Sequence, residues 1–160
     1  FRDDFNKWES YTTFLDNSNG ESKYYRKKDG VYYQYLTSAF GQTLDSPIEL
    51  TILKDNVPLN TPWESVPYKF QSSLSGVSTT ITAKLKSRIS RAHFSDVING
   101  VTYSDMIEVT SDLYVQDIGS TTFSLVDSIR TIFARGIGIV FYQDPSVGID
   151  WGILNYTVNN

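Results

Sequence analysis

The chain has 160 residues, of which 40% are apolar and 20% charged, and its formal net charge is −4. This length and composition predict one folded domain, residues 1–160, and the acidic balance argues against nucleic acid as a partner. Cysteine is absent and His93 is the one histidine, so disulfides, thiol nucleophiles and multi-histidine zinc sites are excluded. No cofactor or metal site is predicted.

The N-terminal region leaves two interpretations open. The chain begins at Phe1 and its one methionine is Met106, as expected for a mature form from which a signal or anchor segment has been removed. Within residues 1–20 several aromatic residues have helical spacing, so this region is either a short helix or a tether.

Two turn signals predict β-hairpins. Asp29-Gly30 and Asn99-Gly100 each separate two β-prone runs, and these dipeptides favour the positive φ angles of tight hairpin turns. Cross-strand aromatic pairs that cover a sheet are the favoured interpretation of the first hairpin, and a sugar-stacking platform is the alternative. The tyrosines concerned are Tyr24, Tyr25, Tyr32, Tyr33 and Tyr35.

Regular alternation of apolar and polar residues marks the strands that follow. Ile48–Leu53 alternates, and the segment after it contains two prolines, which exclude a central strand and indicate a crossing segment that delivers Trp63 to the core. From Val77 to Ser90 apolar and polar residues alternate, as in an antiparallel strand with one wet face. The ladder on that wet face is expected to be solvated, with an anionic headgroup as the alternative partner; it comprises Lys84, Lys86 and Arg88.

The second half of the chain continues the β pattern. The run that starts at Val101 is long enough that its sheet must curve. Residues 123–133 fit either a strand or a helix, and their β-branched content favours the strand. Phe133–Tyr142 is predicted to be a strand whose backbone is either approached closely or bulged at its start, at Gly136 and Gly138. Because more strand follows these glycines, a dinucleotide-binding loop is excluded.

The order of these motifs resembles that of small exported lipoproteins of Bacteroidetes. The resemblance rests on Leu53–Trp63, Val101–Val109, Phe133–Val140 and a last strand from Trp151 to Tyr156, and Gly136 and Gly138 are its most specific feature. That family is similar to periplasmic carriers of the LolA type, in which a strongly curved antiparallel sheet forms an open half-barrel with a concave side for acyl chains. The resemblance implies an exported lipoprotein of the periplasm or outer membrane, joined to the membrane through an N-terminal anchor since removed.

The predicted fold is therefore all-β, a half-barrel with a β-sandwich as the alternative. The predicted function is non-enzymatic binding of a lipid or another apolar molecule on the inner face of the sheet. That face either packs as closed core or lines an open groove, and it comprises Ile81, Leu85, Ile107, Val109, Leu113, Ile137 and Ile139. The alternative function is carbohydrate binding or adhesion through exposed aromatic residues, namely Tyr25, Tyr32, Trp63 or Trp151.

Enzymatic activity is the third class. A glycosidase would need two carboxylates roughly 5 to 10 Å apart, and the candidate pairs are Asp105 with Glu108 and Asp144 with Asp150. The first pair is expected to point to opposite faces of a strand, and the second flanks a turn, where acidic residues are common. His93 is expected to be a surface residue between strands, since no nucleophile motif accompanies it.

Overall fold

The computed structural model describes residues 12–16, 21–39, 42–74, 77–145 and 148–152. These residues form strands and turns, and none of them belongs to a helix that could cross a membrane. The predicted fold class is confirmed in that the protein is all-β and its sheet is antiparallel and curled. Of the region predicted to be a helix or a tether, Thr12–Asp16 is a strand, and the remainder lies outside the described residues.

Eleven strands follow one another along the described chain. They are β1 (Thr12–Asp16), β2 (Glu21–Lys28), β3 (Val31–Ala39), β4 (Gln42–Lys54), β5 (Trp63–Glu64), β6 (Tyr68–Leu74), β7 (Val77–Ile98), β8 (Val101–Gln116), β9 (Phe123–Ala134), β10 (Gly138–Asp144) and β11 (Ile149–Gly152).

The chain packs as two compact units. The first consists of Phe1–Asn56 with Tyr68–Thr82, and the second of Val57–Pro67 with Ala83–Asn160. Strand β7 contributes residues to both units, because their boundary falls between Thr82 and Ala83.

The first unit contains strands in the order β1-β2-β3-β4-β6-β7. The predicted first hairpin is confirmed, since β2 and β3 pair across Asp29 and Gly30, whose φ angles are 51° and 77°. The two residues that follow β4 support this turn. The amide N–H of Asp55 donates to the carbonyl of Gly30 at 2.9 Å, and the side-chain amide of Asn56 donates to the carbonyl of Asp29 at 2.9 Å.

The second unit contains β7-β8-β9-β10-β11 in sequence order, with β5 paired to β7. Trp63 on β5 is buried, as the sequence predicts. Asn99-Gly100 forms the predicted second hairpin, between β7 and β8. The sequence predicts two separate strands before this turn, but β7 is a single strand of 22 residues. Three register shifts between Ile89 and Asp96 interrupt its pairing with β8, and such bulges bend a strand without ending it.

The bent end of the β7–β8 hairpin packs against β10 and β11. Phe94, Ile98 and Val101 contact a buried cluster formed by Tyr103, Met106, Ile132, Ala134 and Val140. A Cβ atom placed on Gly152 of β11 would lie 2.7 Å from Cγ2 of Ile98, so only a glycine lets the hairpin approach this closely. These contacts show that the sheet of this unit curls.

The glycine-containing stretch differs from its prediction. Phe133 and Ala134 end β9, and Gly138 begins β10. The φ angles of Gly136 and Gly138 are 74° and 108°, and these left-handed conformations turn the chain back instead of bulging a single strand. A bulge does occur in β10, between Ile139 and Phe141. Residues 123–133 are strand, which settles the helix-or-strand alternative.

Candidate functional site

The sheet of the second unit has two chemically different faces. The register places Leu85 opposite Leu113, Ile89 opposite Val109, and Phe133 between Ile107 and Ile139. Residues opposite each other in a ladder share a face. We call this face the apolar face, defined by Leu85, Ile89, Ile107, Val109, Leu113, Ile129, Phe133 and Ile139. The opposite face, the charged face, is defined by Lys84, Lys86, Arg88, Glu108, Asp112 and Arg130.

The structure brings five of the seven predicted ligand-binding residues together on the apolar face: Leu85, Ile107, Val109, Leu113 and Ile139. The other two lie elsewhere. Ile81 belongs to the first unit. Ile137 lies in the β9–β10 turn and packs against the cluster around Tyr103 and Met106.

Burial divides these five side chains into two groups. Val109 and Leu113 are 1% and 6% exposed, so they are core. Leu85, Ile107 and Ile139 are partly exposed. The apolar face therefore has a closed centre at Val109 and Leu113, and its partly accessible aliphatic groups are Leu85 opposite Leu113, Ile107 on β8 and Ile139 on β10.

The apolar face also carries a carboxylate that sequence reasoning did not identify as buried. Asp144 is 3% exposed, and the hydroxyl of Tyr142 donates to its Oδ2 at 3.5 Å. Burial, with the charges of Asp144 and Asp127 in addition, raises the pKa of Tyr142 to about 12. Tyr142 and Asp144 alternate on β10, and the register places Asp127 on the same face as Leu113. The alternation of Tyr142 and Asp144 along β10 is the sequence signal that could have predicted that both side chains lie on the apolar face.

Asp144 does not pair with Asp150. The β10–β11 register places Asp150 opposite Gln143 and Asp144 opposite Ile149, so the two carboxylates lie on opposite faces. A glycosidase needs both carboxylates to project into one cleft, where they flank the scissile bond. These two residues therefore cannot act together on this hairpin.

Glu108 organises the charged face. It is 8% exposed and accepts hydrogen bonds from the Ser90 hydroxyl at 2.7 Å and from Nε of Arg130 at 2.8 Å, and Arg91 lies 3.9 Å away. Burial raises the pKa of Glu108, but the hydrogen bonds from Ser90 and Arg130 and the arginine charges outweigh burial and hold the pKa below its ordinary value.

Of the three cations in the predicted ladder, Lys84 and Arg88 form ion pairs within the protein. The ammonium of Lys84 lies 2.9 Å from Glu64, and Nη1 of Arg88 donates to Asp112 at 2.7 Å. Lys86, between them, has no hydrogen bond or ion pair within the described part of the chain. Lys86 lies opposite Glu64 and Asp112 in the two ladders, and its charge contributes, after Lys84, to the lowered pKa of Glu64.

A second polar group marks the bend of the β7–β8 hairpin. Asp105 accepts hydrogen bonds from Nδ1 of His93, at 2.8 Å, and from Nε of Arg135. Those two contacts, His93 first, hold the pKa of Asp105 below its ordinary value. His93 and Asp105 both have positive φ angles, 53° and 51°. His93 is exposed, as predicted, but it lies inside β7 and not between strands.

Asp105 and Glu108 belong to different networks. The first joins His93 and Arg135 at the hairpin bend, and the second joins Ser90 and Arg130 on the charged face. The structure therefore does not bring the two carboxylates together as an acid and base pair.

The tyrosines of the first unit are engaged by neighbouring side chains. The guanidinium of Arg26 lies 4.2 Å from the ring centre of Tyr33, and the ammonium of Lys27 lies 4.4 Å from that of Tyr32. The Tyr32 hydroxyl also donates to Asp55 at 2.9 Å. Each of these two rings has a cation over one face, which a stacked sugar would have to displace.

Among the other aromatic residues named for carbohydrate binding, Trp63 is buried and the side chain of Trp151 lies outside the described residues. Tyr25 is half-buried. The carbohydrate alternative stays a prediction.

No group of three or more potential metal ligands occurs within the residues that the structure describes. The comparisons with known proteins add no assignment: no family model, no curated protein and no solved structure matches this chain.

Proposed function

We propose that this protein is a non-enzymatic binding protein of the bacterial cell envelope, and that it holds a lipid or another apolar molecule against the apolar face. The observation that carries the proposal is the partial exposure of Leu85, Ile107 and Ile139 beside the buried side chains of Val109 and Leu113. Aliphatic groups that are left partly accessible next to a packed core can gain free energy by burying further area against a ligand.

The polar groups on the same face give the proposed ligand an orientation. Asp144 and Tyr142 lie at the end of β10, and Ile139 lies at its beginning. A lipid with a hydrogen-bonding head group would direct that group towards the Tyr142 hydroxyl and its chain towards Ile139 and Ile107. The acyl chain is expected to supply most of the affinity, because each buried methylene contributes about 0.8 kcal/mol.

The cell location is part of the same proposal. The sequence resemblance supports an exported lipoprotein of the periplasm or outer membrane, attached through an anchor upstream of Phe1. Expression of the complete gene in a Bacteroidetes host, followed by palmitate labelling and membrane fractionation, tests this. Labelled protein in the outer-membrane fraction supports the proposal, and unlabelled protein in the cytoplasmic fraction contradicts it.

Mass spectrometry tests ligand binding. We expect an organic extract of the folded protein to contain a lipid, and native mass spectrometry of the same sample to show a complex near one-to-one stoichiometry. Protein that is empty and does not take up a fluorescent fatty acid would overturn the proposal.

Two variants locate the site. Ile139→Asn on the apolar face is expected to weaken fatty-acid uptake by about tenfold, since it replaces aliphatic contact area by an amide. Val97→Asn is the matched control, because Val97 is an exposed aliphatic residue at the β7–β8 hairpin end. Equal uptake by the two variants would place the ligand elsewhere.

A further inference from the structure

The Asn99-Gly100 turn places an unrestrained carboxamide next to an unrestrained backbone amide. Both residues are exposed, and their φ angles of 50° and 80° are those of a tight two-residue hairpin turn. Within the described residues, neither the Asn99 carboxamide nor the Gly100 amide N–H has a hydrogen-bond partner. A Cβ atom added at Gly100 would meet no atom within 4 Å, so no other group covers the backbone at this glycine.

The first hairpin turn has a similar geometry but is enclosed. A Cβ atom added at Gly30 would lie 2.6 Å from Oδ1 of Asp55, and the amide N–H of Asp55 donates to the Gly30 carbonyl at 2.9 Å. Gly100 has no comparable neighbour among the described residues. Openness is therefore a property of the second turn and not of hairpin turns in this protein generally.

The other two asparagines of the described chain are held in place. Nδ2 of Asn56 donates to a backbone carbonyl of the first hairpin turn at 2.9 Å, and the amide N–H that follows Asn60 donates to the carbonyl of Pro58 at 3.2 Å. Each of these asparagines precedes a β-branched residue, whose side chain crowds the backbone nitrogen, whereas a glycine follows Asn99.

We propose that Asn99 is a site of spontaneous deamidation, a reaction to which asparagine is prone. The Gly100 nitrogen, after losing its proton to base, bonds to Cγ of Asn99, and the Cγ–Nδ2 bond breaks to release ammonia. Water then opens the resulting succinimide at either carbonyl and leaves aspartate or isoaspartate at position 99. The overall reaction consumes water and releases ammonia without oxidation or reduction, and it gives the turn a negative charge.

The product changes the contacts between the end of the β7–β8 hairpin and β11. A Cβ atom placed on Gly152 would lie 2.7 Å from Cγ2 of Ile98 and 2.9 Å from Nδ2 of Asn99, so the hairpin end lies directly against β11. Isoaspartate routes the main chain through its side-chain carbon and lengthens a turn whose geometry depends on positive φ angles at both residues. The lengthened turn loosens the hairpin end from Gly152.

Peptide mapping of aged protein tests the site. Folded protein is incubated in neutral and in mildly alkaline buffer and digested with trypsin, which releases Asn99 in the peptide Ala92–Arg130, separate from Asn56 and Asn60. Asn99 is expected to convert about tenfold or more faster than the other two, because its attacking nitrogen is less hindered. The rate should rise with pH, since that nitrogen must first lose its proton.

Gly100→Asn is the matched variant. Asparagine tolerates the left-handed conformation of this position, and its side chain hinders the attacking nitrogen, so conversion of Asn99 should slow by about tenfold. Equal rates in the variant and the wild type overturn the proposal, as does conversion of Asn99 no faster than that of Asn56 and Asn60. Asn19-Gly20 lies outside the described residues and in a different tryptic peptide; conversion there with Asn99 intact also overturns the proposal.

Hydrogen exchange tests the structural consequence. In protein with isoaspartate at position 99, isolated by ion-exchange chromatography, the amides of β10 and of Gly152 should exchange about threefold or more faster than in fresh protein. Asn99→Asp is the control, because it adds the charge without lengthening the chain, and it should exchange at the wild-type rate. Unchanged exchange in the isoaspartate form overturns the loosening of the hairpin end.

Discussion

Glu108 is the residue on which the charged face most depends, because it is buried and accepts hydrogen bonds from two strands. We predict that Glu108→Gln lowers the free energy of unfolding by about 2 kcal/mol, as expected for charge-assisted hydrogen bonds when one partner loses its charge. The Arg130 guanidinium is partly exposed, so its hydration in the variant offsets part of the lost free energy of unfolding. Urea unfolding followed by tryptophan fluorescence measures the change.

Glu64→Gln is the control for this prediction. Glu64 also pairs with a cation, Lys84, but its side chain is 46% exposed. An exposed ion pair contributes little, so this variant should lose less than about 0.5 kcal/mol. Equal losses in the two variants would show that burial does not strengthen the Glu108 network.

Tyr142 gives a residue-level prediction at alkaline pH. Because its pKa is raised to about 12 from an ordinary value of 10.0, the folded protein resists ionising this hydroxyl. The corresponding stability is fully present below pH 10 and is lost as the pH rises towards 12. Tyr142→Phe should flatten this part of the stability curve, measured by urea midpoints. A variant curve as steep as that of the wild type would contradict the raised pKa.

Among the elements, the β9–β10 turn depends on one glycine more than on the other. Gly138 has a φ angle of 108°, outside the region that L-residues tolerate, whereas Gly136 at 74° is near the left-handed helical region. We predict that Gly138→Ala costs about 1–3 kcal/mol. Gly136→Asn should cost under about 1 kcal/mol, since asparagine tolerates that conformation. Urea unfolding compares them.

No atom lies within 4 Å of a Cβ added at either glycine. A Cβ atom at either position therefore meets no clash, and the backbone conformation is the expected source of a difference between the two variants. Equal destabilisation would mean that the turn relaxes around both substitutions.

The same elements show what the sequence predicts well. Alternation and turn dipeptides are local signals, and they identify both hairpins, the strand at residues 123–133 and the buried Trp63. The continuity of β7 through His93 was missed because positive φ angles at His93 and Asp105 break the alternation while the strand continues. The sequence correctly marks Gly136 and Gly138 as a break in regular strand geometry, but two glycines one residue apart fit a bulge as well as a turn.

The candidate site was partly predictable for the same reason. Alternation placed Leu85, Val109 and Leu113 on one face, because each lies in a regular stretch of ladder. Ile137 falls in a turn, where alternation carries no information, and the pairing of Glu108 with Arg130 depends on which strands become neighbours. Long-range contacts of this kind are set by topology, and a single sequence does not encode them locally.

For the molecule as a whole, the carboxylates predict how stability responds to acid. The pKa values of Glu64, Asp105 and Glu108 all lie below their ordinary values, which are 4.5 for Glu and 3.8 for Asp. A lowered pKa stabilises the folded state above the ordinary value, and this stability is lost as the pH falls through the folded pKa. The urea midpoint should therefore be nearly constant from about pH 7 to 5 and fall below pH 4.5.

The double variant Asp105→Asn with Glu108→Gln isolates the two networks of the second unit. It should start from a lower midpoint at pH 7 and then lose less than the wild type between pH 5 and pH 3, since two of the titrating groups are gone. The interval includes the sequence pI of about 4.9, where low net charge promotes association, so the measurement needs dilute protein and a reversibility check. A variant that keeps the full wild-type slope would show that acid lability originates in carboxylates other than these two, and that the hairpin bend and the charged face do not determine the acid limit of the fold.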